Sequence, residues 1–320
     1  MANIQAHEVE RFKQDMTLVL DEGLYLGPKT SFMASVASQV TDFHGRKVIS
    51  VPSFDVKGGL VDYDVESGKY GSDIGTKLTW KDYELDVDRA FRLTVDRKLV
   101  NDTAGLVNIQ DAHAKLIKEY VIPEMDAYRM AKACGAAVEL SKKSGNAKGD
   151  YVKYGVTITA SNIQKEIDDV LVNYADKYGI GVENLVMLAT PQVIQAYRMS
   201  VDNKIENVDF SNGYTNVCPS YNGLPIVEMQ SRYMNTAITL LGDRSVAAGW
   251  KTATGNKKVN FVIMRRDLIS CASLIDELKI FTPEENQSGS DWLAEGRIVY
   301  GAFRMDKNDV VFANIKDTEA

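Results

Sequence analysis

The segment KEYVIPEMDAYRMAKACG, from Lys118 to Gly135, combines a helical repeat with two residues that disturb it. Apolar or small residues recur there and upstream at spacings of three and four, which predicts a long helix over about residues 103–140. The residues on this stripe are Leu106, Ile109, His113, Leu116, Tyr120, Ala127, Ala131 and Cys134. Pro123 interrupts the pattern, and the acidic Glu124 falls on the same stripe.

Two interpretations of this proline are open. In the first, Pro123 lies inside the helix, leaves the carbonyl of Glu119 without its helical partner and bends the helix. Glu124 then faces the bend or a neighbouring subunit and pairs with an arginine. In the second, the helix starts afresh at Pro123 in its first position, with Glu124 favourably placed in the first turn.

Upstream of the helix, the sequence predicts a long β-hairpin within residues 47–97. The run YELDVDRAFRLTVDR (83–97) alternates apolar with charged or polar residues, which is the period of a strand. The runs KVISVPSFDV (47–56) and LVDYDVE (60–66) are also extended, and glycines lie at 58–59 and 68–75. A ribbon of this kind is marginally stable alone and needs a partner surface.

Downstream, residues 157–262 predict an α/β module. A helix is expected at 161–179 with a capping box from Ser161 to Gln164 and a stop at Gly179. NLVMLAT (184–190) is a short buried strand, and Thr190 with Pro191 begins the next helix. YNGLPIVEM (221–229) is an Asn-Gly turn into a strand. The C-terminal segment RIVYGAFRMDKNDVVFANI (297–315) predicts a strand, a turn and a strand.

The composition indicates an ordinary soluble protein. The 320 residues carry a net charge of −7, with 45% hydrophobic and 25% charged residues. Domains that bind the phosphate backbone of nucleic acids usually carry a net positive charge, which this chain does not. The three cysteines are far apart, so a reducing compartment is the simpler expectation. No secretory signal and no apolar run long enough to span a bilayer is visible, so we expect no membrane partner.

Motifs for chemistry are weak throughout. His7, His44 and His113 share no metal spacing, and His113 is expected to be a packed core residue. The acidic residues Asp62, Asp64, Glu66 and Asp73 lack the glycine and glutamate that a calcium loop needs, and are expected to face solvent. GPKT (27–30) lacks the full phosphate-loop spacing. We therefore predict no catalytic residue, no cofactor and no metal. The clearer signal is the arrangement of extended segments. The arm and the hairpin have no surface of their own to pack against, so we expect copies of the same chain, arranged symmetrically, to cover them.

In the order of its parts, the chain resembles the major capsid proteins of tailed bacteriophages, which have the Hong Kong 97-like fold. YELDVDRAFRLTVDR is similar to the returning strand of the family's extended loop, and VIPEMDAYRMAKACG (121–135) to its spine helix. NLVMLATPQVIQAYR (184–198) and YNGLPIVEM resemble parts of the axial domain. KIFTPEENQSGSDWLAEGRIVYGAFRMDKNDVVFANI (279–315) resembles the closing strands of the peripheral domain.

The resemblance implies an α+β capsid fold in four parts. These are an N-terminal arm (1–46), an extended loop (47–97), a peripheral domain with the spine helix (98–156 and 263–305) and an axial domain (157–262 and 306–320). The implied function is a major capsid (head) protein in the virion, assembled in the bacterial host cytoplasm. It forms hexamers and pentamers of an icosahedral shell that encloses double-stranded DNA without sequence-specific binding. A separate scaffolding protein and a portal are the implied partners.

The candidate assembly-interface residues lie on the loop, in the spine helix and in an arginine cluster. They are Lys57, Gly58, Gly59, Lys69, Tyr70, Pro123, Glu124, Arg265 and Arg266. The loop lysines Lys57, Lys69 and Lys77 lack a recognisable partner asparagine and catalytic glutamate, so covalent cross-linking is not expected. Three alternatives stay open: an encapsulin-type nanocompartment shell, an unrecognised soluble α/β enzyme, and a tail or other structural virion protein.

Overall fold

A seven-stranded mixed sheet, with strand order β4-β14-β11-β5-β8-β7-β6, forms the centre of the molecule. The computed structural model describes residues 28–34, 48–57, 75–96, 112–143, 145–202, 206–210, 217–242, 249–287, 289, 291–305 and 310–319. The helices are α1 (Ile122–Lys142), α2 (Ile163–Tyr178) and α3 (Pro191–Ser200). The strands are β1 (Val48–Lys57), β2 (Gly75–Glu84), β3 (Val87–Val95), β4 (Val152–Lys153), β5 (Leu185–Ala189), β6 (Glu206–Asp209), β7 (Val217–Tyr221), β8 (Leu224–Glu228), β9 (Ile238–Leu241), β10 (Gly249–Thr252), β11 (Val259–Arg265), β12 (Ile269–Phe281), β13 (Trp292–Arg304) and β14 (Val311–Ile315). The predicted α+β class is confirmed.

Helices cover both faces of the seven-stranded sheet, which explains why its central strands β5, β11 and β14 are buried along almost their whole length. In β5, Val186 and Leu188 join the core cluster that contains α1. Leu185 and Met187 join the cluster that contains α2 and α3. The final strand β14 lies in this sheet beside β11, away from β13, which belongs to another sheet.

Most local signals of the α/β module are confirmed. Gly179 ends α2 in a left-handed conformation with φ of 60°, and Thr190 is the N-cap of α3 with Pro191 in its first turn. Asn222 and Gly223 both have positive φ between β7 and β8, as a tight hairpin turn requires. The Ser161 capping box is wrong, because Asn162 is the N-cap and Ser161 hydrogen-bonds with the Thr159 hydroxyl.

A separate three-stranded antiparallel sheet has the order β12-β13-β3. The two long strands β12 and β13 each have 13 residues. β3 alternates in burial from Val87 to Val95, as the period-2 pattern predicts. Helix α1 packs against strands of both sheets and therefore connects them.

The hairpin of β1 and β2 is confirmed, with ten paired residues from Val48–Glu84 to Lys57–Gly75. The sequence pattern predicts one continuous strand from 83 to 97, and this is wrong. The chain changes partner at Leu85 and Asp86, where it leaves β1 and continues as β3 beside β13. A Cβ atom on Gly301 would lie 2.8 Å from the Leu85 side chain and 3.0 Å from its Cα, so only glycine permits this close approach.

The helix crosses Pro123 without stopping because a π-helical turn, Ile117–Val121, precedes it. The amide of Ile122 donates to the carbonyl of Ile117, five residues back, and both Val121 and Ile122 keep helical angles. The helix therefore runs through Pro123 without a fresh start, so the first interpretation holds for the position of the proline. Glu124 lies in the first turn of the regular α-helical segment that begins at Ile122, and this part of the second interpretation holds. The π turn inserts a residue and rotates the apolar stripe, which explains why Tyr120 is 57% exposed, against prediction.

Candidate assembly interface

Glu124 is buried and bound by groups of its own chain. Arg89 donates to both carboxylate oxygens, from Nε at 2.8 Å and from Nη2 at 2.7 Å. The hydroxyl of Tyr300 donates to Oε1 at 2.8 Å, and burial together with the adjacent Glu124 raises the pKa of Tyr300 so that it stays a donor. Arg89 also donates to the carbonyl of Leu241 at 2.8 Å. The predicted pairing of Glu124 with an arginine is confirmed, but the carboxylate is buried among groups of its own chain, and a role at a neighbouring subunit stays a prediction.

This cluster joins three parts of the fold. Arg89 belongs to β3, directly after the hairpin, Glu124 to the first turn of α1, and Tyr300 to β13. Leu241 is the last residue of β9. Through these bonds, the Arg89–Glu124 pair links the base of the hairpin to helix α1, to β13 and to the end of β9. A charged pair at such a junction costs desolvation and is compensated here by four hydrogen bonds.

The short segment 28–34 is held on α1 by Asp126. The amides of Lys29 and Thr30 donate to the two oxygens of its carboxylate at 3.2 and 3.1 Å, and the Thr30 hydroxyl donates at 2.7 Å. Arg129 lies one turn along the helix and donates to the Thr30 hydroxyl at 3.4 Å. Burial raises the pKa of Asp126, while the hydrogen bonds from Thr30 and Lys29 and the charge of Arg129 act in the opposite direction. Lys29 and Thr30 of the GPKT motif therefore bind a carboxylate of their own chain, that of Asp126.

A cleft of about 480 Å³ lies between the base of the hairpin and α1. Tyr83 stacks on Phe303 along one wall, with ring centroids 4.4 Å apart and planes inclined by 15°. Asp86 accepts a hydrogen bond from the Tyr128 hydroxyl and another from Lys132 at 3.1 Å. These contacts anchor the proximal half of the hairpin to the body of the molecule.

The middle of the hairpin carries an exposed apolar face. Leu78 is 50% exposed and Trp80 is 61% exposed, although both are large apolar side chains. Trp80 pairs across the ribbon with Pro52, which is also exposed and therefore lies on the same face. We call Leu78, Trp80 and Pro52 the hairpin face. Exposed apolar groups clustered in this way are typical of interaction surfaces.

The two predicted arginines make contacts inside the chain. Arg265 forms an ion pair with Asp267 at 2.6 Å. The Arg266 guanidinium stacks over Phe210 at 4.7 Å and donates from Nε to the carbonyl of Leu185 at 3.3 Å. Burial lowers the pKa of Arg266. An interface role for this pair stays a prediction.

The remaining predicted residues divide between described and undescribed parts. Lys57 ends β1 and pairs with Gly75. Pro123 is half-buried in the first turn of α1. Gly58, Gly59, Lys69 and Tyr70 lie outside the described residues, as do the acidic positions Asp62, Asp64, Glu66 and Asp73. Their assembly roles stay predictions.

His113 is a core residue, as predicted. It is fully buried, and its ring centroid lies 5.4 Å from that of Phe91. Neither ring nitrogen has a hydrogen-bond partner within the described residues, and burial lowers its pKa to about 4. The described ranges contain no group of three or more acidic, histidine or cysteine side chains arranged to hold a metal. In the same ranges, no helix combines the length and the apolar character needed to cross a membrane.

Comparisons with known proteins give similarity at the level of structure. No protein-family model and no curated protein matches the chain. The capsid of Ralstonia phage GP4 has 10% sequence identity and a TM-score of 0.49, covering 86% of this chain and 84% of that one. The capsid of Cyanophage P-SCSP1u has 13% identity and a TM-score of 0.47, covering 84% of each chain. A virus-like particle from Pyrococcus furiosus has 11% identity and a TM-score of 0.45, covering 95% and 98%.

The chain is similar to phage capsid structures. Identities this low leave its function to be inferred from its own geometry.

Three groups in these sites were not identified from the sequence. Arg89 and Tyr300 contact Glu124 from positions 35 and 176 residues away along the chain. Trp80 lies outside the strand pattern that begins at Tyr83, although an exposed tryptophan next to charged residues is a usable signal for an interface.

Proposed function

We propose that this chain is the major capsid protein of a tailed phage, and that it assembles into hexamers and pentamers of an icosahedral shell around double-stranded DNA. The hairpin of β1 and β2 carries the proposal. Its ten residue pairs span about 30 Å at the rise of a β-strand. Ile49 and Tyr83, near its proximal end, pack against the body of the molecule.

The hairpin face supplies the reason for self-assembly. A two-stranded ribbon is marginal in water without a surface to cover it. Burying Leu78 and Trp80 against a neighbour contributes about 1–3 kcal/mol for each side chain. In a closed ring every subunit gives one hairpin and receives one, so the same contact repeats without an unfilled position.

The rigid junction at Glu124 supports the same role. A hairpin that acts on a neighbouring subunit has to keep its direction relative to the body. Arg89, three residues after the chain leaves the hairpin sheet, is fixed by two hydrogen bonds to Glu124 and one to the Leu241 carbonyl. The pair therefore sets the angle at which the hairpin leaves the subunit.

The proposed division of the chain follows the capsid resemblance. Residues 1–46 form the arm, 47–97 the extended loop, 98–156 with 263–305 the peripheral domain, and 157–262 with 306–320 the axial domain. The position of β14 in the seven-stranded sheet favours placing the C-terminal segment with the axial domain.

The charge of the chain fits a shell that encloses DNA without gripping it. A net charge of −7 gives little attraction for phosphates, so subunits can assemble without being trapped on nucleic acid. We propose a structural role with no enzymatic activity, assembly in the bacterial cytoplasm, and a separate scaffolding protein and portal as partners.

Electron microscopy of the expressed protein tests this function. We expect closed shells or capsomers with six-fold and five-fold symmetry, in the presence of scaffolding protein where the subunit needs it. A small shell that encloses a protein cargo would support the encapsulin-type alternative. A subunit that stays monomeric at every salt concentration, with and without scaffold, would contradict the proposal.

A further inference from the structure

A second cleft, of about 410 Å³, lies at the N-terminal end of α3. It is bordered by α3, by Trp250 of β10 and by the start of β11. Three cationic side chains line it, Arg232, Lys258 and Lys316, and no aspartate or glutamate does so in the part of the chain that the structure describes. This is a concentration of positive charge in a chain whose net charge is −7.

The first turn of α3 presents unused donors to this cleft. Thr190 is the N-cap, but its side chain makes no capping hydrogen bond. The amide of Ile194 donates to the Thr190 carbonyl at 3.1 Å, which is the first bond of the helix. Pro191 has no N–H, so the amides of Gln192 and Val193 are the orphan donors, and neither finds an acceptor among the described residues. Of these two residues, Gln192 lines the cleft.

The hydroxyl of Thr190 is the second unused donor group. Thr190 is only 6% exposed, and it lines the cleft. Its hydroxyl has no hydrogen-bond partner within the described ranges. Because Thr190 lines the cleft and its hydroxyl has no hydrogen-bond partner among the described residues, solvent or a ligand in the cleft is what satisfies this hydroxyl. Its position beside the positive end of the helix dipole favours an anionic ligand.

The cations of the cleft are available for the same ligand. None of the three forms an ion pair within the described part of the chain. Arg232 donates to the hydroxyl of Tyr233 and stacks on its ring, which leaves its other guanidinium donors free. The nearby Asp317 accepts from the backbone amide of Lys258 at 2.7 Å and does not line the cleft.

We propose that this cleft binds a phosphate group. Its donors are the amide of Gln192, the Thr190 hydroxyl, and the side chains of Arg232, Lys258 and Lys316. A carboxylate has two oxygens and one charge, whereas a phosphate offers three or more oxygens and up to two charges to this set of donors. Inorganic phosphate, a nucleotide or a nucleic-acid backbone can each supply the group. The site does not depend on shell formation.

Calorimetric titration of the full-length protein with inorganic phosphate at constant ionic strength tests the site. Thr190→Val keeps the shape of the side chain and removes only the hydroxyl. The double variant Lys258→Gln/Lys316→Gln removes two exposed cations. The control Lys142→Gln/Lys165→Gln makes the same charge change at two exposed helical lysines that do not line the cleft.

We expect both cleft variants to weaken phosphate binding at least about tenfold, since each loses hydrogen bonds to a charged group. The control should bind as the natural chain does, and all variants should melt at the same temperature. A short single-stranded oligonucleotide that competes with phosphate would identify a nucleic-acid source, and failure to compete would identify free phosphate. No measurable binding, equal affinities in cleft and control variants, or equal affinity for acetate would each overturn the proposal.

Discussion

Arg89 and Glu124 form a two-bond ion pair that is largely buried, with N–O distances of 2.8 and 2.7 Å. The adjacent residue of β3, Asp88, forms a second pair of the same geometry with Arg297, at 2.9 and 2.7 Å. That second pair is solvent-exposed. Both pairs involve a residue of β3 and have the same two-bond geometry, but the Arg89 pair is more buried and has further bonds to Leu241 and Tyr300. Their comparison therefore measures what the buried cluster adds to an exposed ion pair.

We predict that Arg89→Met lowers the free energy of unfolding by about 3 kcal/mol, because it leaves the buried Glu124 carboxylate without its counter-charge. The matched control Arg297→Met removes the exposed pair and should cost less than about 1 kcal/mol. Urea denaturation of unassembled subunits measures both values. Equal losses in the two variants would show that the Glu124 pair has no special role in fixing the hairpin.

The attachment of segment 28–34 to α1 depends on the Asp126 carboxylate. Asp126→Asn replaces a charged acceptor with a neutral amide that has one acceptor oxygen, so the bonds from Lys29 and Thr30 weaken. We expect trypsin to cleave after Lys29 about tenfold faster in this variant, since cleavage requires local opening. Asp86→Asn, which changes an exposed acid at the hairpin base, is the control. An unchanged cleavage rate in Asp126→Asn would mean that other contacts hold the segment.

His113 makes the stability of the subunit depend on pH. Burial lowers its pKa from 6.5 to about 4, so between these values the unfolded chain binds a proton that the folded chain does not. Stability is fully present above pH 6.5 and is lost as the pH falls towards about 4, by up to about 3 kcal/mol.

We expect His113→Phe to remove this part of the pH dependence while leaving the contact with Phe91 in place. Unfolding free energies measured on both sides of about pH 6.5 give the comparison. The natural chain should lose more stability than the variant in the acidic half of the range. Parallel curves would show that the pKa of His113 is the same in the folded and the unfolded chain.

How much of this fold the sequence predicts depends on the kind of contact. The alternation in β3 and the signals at Gly179, Thr190 and Asn222 are local, and each is confirmed. The exchange of strand partners at Leu85 is not predictable in this way. Period-2 alternation reports which face is buried and stays in phase through Leu85, although the neighbouring strand changes from β1 to β13.

The π turn and the Glu124 cluster show the same limit. Pro123 signals that the regular helical bond pattern fails, but bending, restarting and insertion of one residue are equally compatible with that signal. The acidic residue on an apolar stripe predicts a pairing with an arginine, which is confirmed, whereas its burial within its own chain is not predicted. Which arginine supplies it depends on the packing of β3 on α1, and no local pattern contains that information.

The hairpin face should control assembly without affecting folding. We predict that Leu78→Ser/Trp80→Ser leaves the melting temperature of the subunit unchanged, since both side chains are exposed in the subunit. The concentration needed for assembly should rise at least about tenfold, from the loss of apolar burial at the contact. Val172→Ser/Met199→Ser, at two exposed apolar residues of α2 and α3, is the matched control. Sedimentation and electron microscopy measure the outcome, and equal assembly in both variants would contradict the hairpin assignment.

The tip of the extended loop can be removed without opening the ribbon. Lys57 and Gly75 are paired at the distal end of β1 and β2, so an Asn-Gly turn replacing residues 58–74 joins two strands that are already in register. We expect a folded subunit with the same cooperative unfolding, because the proximal contacts of Tyr83 with Phe303 and of Arg89 with Glu124 remain. Shell formation should be blocked or weakened if the tip contacts a neighbour. Particles that form normally without residues 58–74 would restrict the intersubunit contact to the hairpin face, and the loss of folding would place the tip in the subunit's own core.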